Sequence, residues 1–384
     1  MPAKNDMPPF RSDSRSDMRE EVQAGFAMLK QGDAEGARQF FSDLLEKTPG
    51  LASAHLGLGR VFVAEGNHRK GLEHFQEALA LQSDLAPARF FAAEAHEQLG
   101  ENDEALAAYD AAIALDPSMG TSYMRKARLL ERENRDPEAR AVLSEAVRRS
   151  PQDASLRVAL ASAMARSGTV AESEAEFRRA IDLQPDMWYA HFGLGTALLS
   201  AKEYGPARDE LTKAARLAPD RPSVHQALGA ALNGLSEHTR AAKAYDDAVR
   251  LDPTNMRAVI GAAMARSASG QHREALEVLR NVGRMGNRVP PVQKALGDIY
   301  LAMGRPVDAV EAYRAMILNS TRMASEETGL VALANSGAGE DPAVFARRLQ
   351  EALGAQKTAM TEQMRANPKM LRERLMARRQ RQAG

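Results

Sequence analysis

Three histidines, His55, His191 and His225, fall at one position of a 34-residue register, and imidazoles are the commonest transition-metal ligands. A metal site needs three or four donors converging on one point. Only His191 and His225 lie one interval apart, the chain has no Cys, and no carboxylate is placed to complete a set. The histidines are therefore expected as packing groups. Gly57-Leu58-Gly59 and Gly193-Leu194-Gly195 look like fragments of a glycine-rich phosphate loop, but both lie inside stretches with helical spacing of apolar residues. No phosphate-binding loop, dinucleotide fingerprint or zinc-protease motif occurs. Carboxylates such as Glu94, Glu97, Glu131 and Glu133 read as charged helix faces. The residue types thus argue for binding rather than catalysis, with no cofactor and no metal.

The elements that carry these residues are short helices. Residues 86–117, APARFFAAEAHEQLGENDEALAAYDAAIALDP, have apolar residues at three- and four-residue steps on either side of Gly100, and Pro117 ends the second run. The same pattern returns at every shift of 34 residues, so that nine units run from Met18 to Met323 without insertion or deletion. The eighth position is always Gly or Ala, from Gly25 and Gly59 to Gly297, and the twentieth is always small, from Ala37 to Ala309. The twenty-fourth is always large: Phe41, Phe75, Tyr109, Leu143, Phe177, Leu211, Tyr245, Leu279 and Tyr313. Small residues let two helices approach, and the large one fills the space between them. A fixed period of this length is the signature of a solenoid.

In these positions the chain resembles the tetratricopeptide repeat family. The turn glycines Gly32, Gly66, Gly100, Gly168, Gly270 and Gly304 and the closing prolines Pro49, Pro117, Pro151, Pro185, Pro219 and Pro253 agree with it. Departures are the turn residues Asn134, Lys202 and Ser236, the residues Ser83, Asn287 and Thr321 in place of proline, and a fourth position that lacks the usual Trp. Glu21, His55, Arg89, Tyr123, Arg157, His191, His225, Val259 and Gln293 stand there, which predicts a partly buried site. The resemblance implies an all-α fold: a right-handed α-solenoid superhelix of nine helix-turn-helix repeats with C-terminal capping helices. It further implies that the first helix of each unit lines a concave groove. Carried onto this chain, the groove presents Phe90, Phe91, Met124, Arg125, Arg128, Arg132, Val158, Arg166, Tyr189, Phe192, Ile260 and Met264. Phe90, Phe91 and Phe192 are expected to face solvent as anchors for a partner. Arg125 and Arg128 are expected beside Glu94 and Glu97, whereas Arg132 and Arg166 have no obvious acidic partner and are expected to select acidic flanks.

Lys and Arg together equal Asp and Glu at 51 each, yet the charge is uneven. Arg365, Lys369, Arg372, Arg374, Arg378, Arg379 and Arg381 face only Glu373, which makes residues 365–384 a basic tail. Residues 1–17 lack an apolar face and are expected to be disordered; 324–340 read as a linker and 341–364 as a helix capping the ninth unit. No secretory signal or spanning segment is legible, which makes the cytoplasm the expected compartment. The function that follows is a non-catalytic scaffold, adaptor or assembly factor holding a peptide or helix with apolar anchors and acidic flanks. The alternatives are a regulator whose basic tail contacts nucleic acid or an anionic membrane surface, the recognition part of an enzyme complex, and self-association through residues 341–364.

Overall fold

The computed structural model describes residues 13–281, 289–321, 333–334, 336–337 and 339–366. The expected disorder of residues 1–12, most of the 324–340 linker and the basic tail from residue 367 lie outside the described residues. All regular structure among the described residues is helical. The chain divides into two compact units, Met1–Pro185 and Asp186–Gly384.

The first unit holds five helix pairs: α1 (Asp13–Gln31) with α2 (Ala34–Lys47), α3 (Ala52–Ala64) with α4 (His68–Leu81), α5 (Ala86–Leu99) with α6 (Asn102–Leu115), α7 (Gly120–Arg132) with α8 (Asp136–Arg149), and α9 (Ala154–Arg166) with α10 (Val170–Leu183). Within it each helix packs on the next, and first helices of neighbouring repeats also touch, α1 on α3, α3 on α5 and α7 on α9. This is an α-solenoid arrangement, in which a pair too small to bury its own apolar face does so against its neighbours. The first helix starts at Asp13, not Met18 as expected. Extending a helix already nucleated by packing costs little, even through the polar run 13–17.

The second unit holds α11 (Trp188–Ser200), α12 (Tyr204–Leu217), α13 (Pro222–Gly234), α14 (His238–Leu251), α15 (Met256–Ala268), α16 (His272–Arg280), α17 (Pro290–Ala302), α18 (Pro306–Thr321) and α19 (Pro342–Ala366). The register holds to the residue: second helices begin at Ala34, His68, Asn102 and onward in steps of 34 as far as Pro306. Where Thr321 stands in place of a closing proline, α18 runs on to that residue. A ring with no N–H would have stopped it sooner.

The large twenty-fourth residue is the knob the pattern requires. Phe41 is fully buried, and a Cβ added at Gly25 of its own repeat or at Gly57 of the next would meet its ring at 2.5 Å. Tyr245 sits in the same way against Gly229 and Gly261. At these two places a repeat thus clamps the next through one side chain set between two small residues. The turns between paired helices are left-handed throughout, with Gly100 at φ 79° and the three substituted positions, Asn134, Lys202 and Ser236, forced to φ 60°, 64° and 61°.

Helix α19 packs on α18, burying Phe345, Ala346, Leu349 and Leu353 against Ala309, Val310, Tyr313 and Ile317. Its N-terminus is set by Asp341, whose Oδ1 accepts from the amides of Ala343 at 2.7 Å and Val344 at 3.3 Å, with Pro342 as first residue. Arg314 and Arg348 lie over the ring of Phe345 at 5.3 Å and 5.2 Å.

Candidate partner-binding face

In the first unit the wall formed by α1, α3, α5, α7 and α9 alternates rings with charges. Phe90 is half-buried, 5.2 Å from the Phe91 ring and 5.9 Å from Tyr109, and packs on the core around Ala93 and Ala105. Phe91 is half-buried too, with its ring 6.2 Å from that of Phe75. The expectation that these rings face solvent is corrected: both are half-buried, because Phe91 packs against the knob Phe75 of the preceding repeat and Phe90 against Tyr109 of its own. Val158 is buried at 8% exposure and belongs to the packing of α9, not to an accessible wall. Met124 is half-buried and lines, with Ala127, Arg128, Glu131, Leu143, Ala159, Ser162 and Arg166, an opening of about 200 Å³.

The arginines divide into two groups. Arg125 pairs with Glu94 at 2.8 Å, as the spacing predicts. Arg132 and Arg166, expected without acidic partners, are both paired: Arg132 with Glu97 and Arg166 with Glu131. Those carboxylates occupy the twelfth position of the preceding repeat, 35 residues earlier, so each pair bridges neighbouring first helices in the same way. The signal was present in the register but requires knowing that positions twelve and thirteen meet across a repeat boundary. Arg128 is exposed and enters no ion pair among the described residues, although its charge acts on Glu131.

Burial sets the electrostatics of this wall. Glu97 is only 7% exposed at its side chain and also accepts from the Tyr109 hydroxyl at 3.1 Å. Desolvation raises the Tyr109 pKa, and the neighbouring Glu97 charge raises it further, so the phenol stays protonated as a donor. Desolvation raises Glu94 and Glu131 above the ordinary carboxylate range, against the opposing pull of Arg125 and Arg166. One residue absent from the expected set joins this face: Arg60 of α3, whose guanidinium lies over Phe26 at 4.9 Å and over Phe91 at 4.6 Å. It occupies the ninth position of its repeat, as Glu94 and Arg128 do in theirs.

In the second unit Tyr189 is 37% exposed, and Phe192 is half-buried with its ring 6.3 Å from Trp188. Arg221 covers Trp188 at 5.4 Å. Ile260 and Met264 are half-buried against Val259, Ala263, Leu276 and Leu279.

At the fourth position, where Trp is missing, three repeats set a polar side chain against a polar one at the twenty-third. His55 faces His74 with Nδ1 atoms 3.3 Å apart, Arg157 donates to Glu176 at 2.7 Å, and His191 meets Glu210 at 2.6 Å. His191 is buried at 4% exposure and Tyr123 at 2%, whereas His55 and Arg157 are half-buried and Glu21 is exposed. The expected partial burial therefore holds for some repeats and fails for Glu21, which is exposed, and for Tyr123, His191 and Val259, which are buried. The histidines here pack between helices. No group of three or more His, Asp or Glu with metal-site geometry occurs among the described residues.

The sequence profile of the tetratricopeptide repeat matches residues 27–89, 56–119, 90–154 and 158–222, together just over half of the chain. Among solved structures, the C-terminal part of a TPR repeat-containing protein from Cytophaga hutchinsonii is similar at 14% identity and a TM-score of 0.50, covering 62% of this chain and 98% of its own. A tetratricopeptide repeat protein from Parabacteroides merdae is similar at 16% identity and TM-score 0.48, covering 65% and 99%. PilW, a type IV pilus biogenesis factor, is similar at 18% identity and TM-score 0.47, covering 54% and 96%. No curated protein matches the chain. A helix pair repeating every 34 residues, its knob seated between small residues, and a family profile in the same register make one conclusion: the chain belongs to the tetratricopeptide repeat family.

Proposed function

We propose that the protein is a non-catalytic scaffold whose first unit holds a peptide or helix of a protein partner along the wall of α1, α3, α5, α7 and α9. Arrays of this family serve generally as protein-interaction scaffolds, which supports the class of function. The observation that carries the reading is the wall itself. Phe26, Phe91 and Met124 are half-buried apolar side chains among charged ones on these helices, and Met124 and Arg128 help line an opening of about 200 Å³. Apolar groups left half-covered gain roughly 25 cal/mol for each Å² a partner removes from water. Extended segments with apolar anchors fit such a surface.

The test is capture of partners by the full chain and by a Met124→Glu, Arg128→Glu variant, with helicity checked by circular dichroism. The expected outcome is loss of the captured proteins with helicity intact. Capture of the same proteins in the same yield would sink the wall as the binding face.

A further inference from the structure

Arg60 differs from Arg125, Arg132 and Arg166 in lacking a carboxylate, and from the exposed Arg128 in being half-buried between two rings. Arg125, Arg132 and Arg166 each hold a carboxylate of the neighbouring repeat, whereas Arg60 makes no ion pair and no side-chain hydrogen bond within the described residues. It is half-buried, and burial lowers its pKa despite the nearby charge of Glu94. The Glu94 carboxylate is held by Arg125 at 2.8 Å and so does not fill the Arg60 fork. Two aromatic faces, Phe26 at 4.9 Å and Phe91 at 4.6 Å, flank the guanidinium. Such contacts fix a planar cation and leave the N–H groups at its edge as the donors still to be satisfied.

We propose that Arg60 is the anion-receiving point of the wall and takes a side-chain carboxylate of the bound partner segment; this rests on the reading of the wall as the binding face. A fork of N–H donors matches a planar carboxylate in a bidentate pair. Charge decides between carboxylate and phosphate. Glu94, Glu97 and Glu131 on this face are each paired with another arginine, so Arg60 offers one positive charge, which a monoanion neutralises and a dianion exceeds. The rings of Phe26 and Phe91 add an apolar border for the group that carries the carboxylate.

The experiment is guanidinium-detected NMR of the full chain titrated with hydrocinnamate, a carboxylate bearing one ring, in parallel with neutral hydrocinnamide and with sodium phosphate. The expected result is a saturable shift of the Arg60 Nε–H signal with a dissociation constant of about 1 to 10 mM. Hydrocinnamide should give none and phosphate a weaker effect. Arg60→Gln should abolish hydrocinnamate binding, while Arg178→Ala, a solvent-facing change on α10, should leave it unchanged. The proposal is overturned by no saturable shift of Arg60, by an equal shift with the amide, or by tighter binding of phosphate. Failure here with partner capture still lost in the Met124→Glu, Arg128→Glu variant removes the role of Arg60 alone. Capture that survives that variant removes the wall reading itself.

Discussion

Lys202 and Ser236 hold left-handed backbone where other repeats place Gly. An L side chain in that conformation costs roughly 1–2 kcal/mol, and Gly returns about half of it as lost chain entropy. Lys202→Gly is therefore expected to raise stability by about 1 kcal/mol in urea unfolding; a loss would show that the lysine side chain makes a compensating contact. The wall carboxylates give a second residue-scale expectation. Burial raises Glu94 and Glu131, whereas hydrogen bonds from Arg135 and Arg149 hold Glu138 and Glu145 below the ordinary value. Carbon-detected NMR titration should find Glu94 and Glu131 protonating at higher pH than Glu138 and Glu145. A native carboxyl with a raised pKa keeps a proton that the unfolded chain has already lost. Its contribution to stability is thus greatest on the acid side of that window and falls as pH rises through it. The reverse order of titration would refute burial as the dominant cause.

At the scale of the element, the second helix of each repeat is locked by its knob and by the small residues around it. Ala105 is fully buried where α5 and α6 meet, and a Cβ at Gly57 would run into the Phe41 ring at 2.5 Å. Ala105→Leu should cost roughly 1 to 3 kcal/mol by overpacking. Unchanged stability would place the contact elsewhere. Helix α19 is the other test at this scale. It covers Tyr313, whose hydroxyl donates to Asp298 at 2.7 Å, and Gln350 of α19 donates to the same carboxylate at 2.9 Å. Ending the chain at Glu340 should uncover Val310, Tyr313 and Ile317 and lower the melting temperature, as expected if the segment caps the ninth repeat. Equal stability of the shortened chain would return α19 to a partner-binding role.

For the whole molecule, nearest-neighbour packing makes stability a sum over repeats and the interfaces between them. Hydrogen exchange of the Ala105→Leu variant should therefore quicken first in α3 to α8 and least in α1 and α10. A uniform loss of protection through the first unit would mean that its repeats unfold as one. The sequence by itself determined the period, the turns, the knobs and the family, because each depends on residues within one repeat or its immediate neighbour and recurs nine times in register. That the first helices form a binding wall is what the family resemblance implies. Which wall groups are open was decided only by tertiary structure. Val158 is buried, Phe90 and Phe91 rest on Tyr109 and Phe75, and Arg132 and Arg166 are claimed by Glu97 and Glu131. Arg60 emerged for the same reason. Its place between Phe26 and Phe91 joins three repeats, and a contact of that kind depends on how one pair is rotated onto the next, which no single repeat encodes.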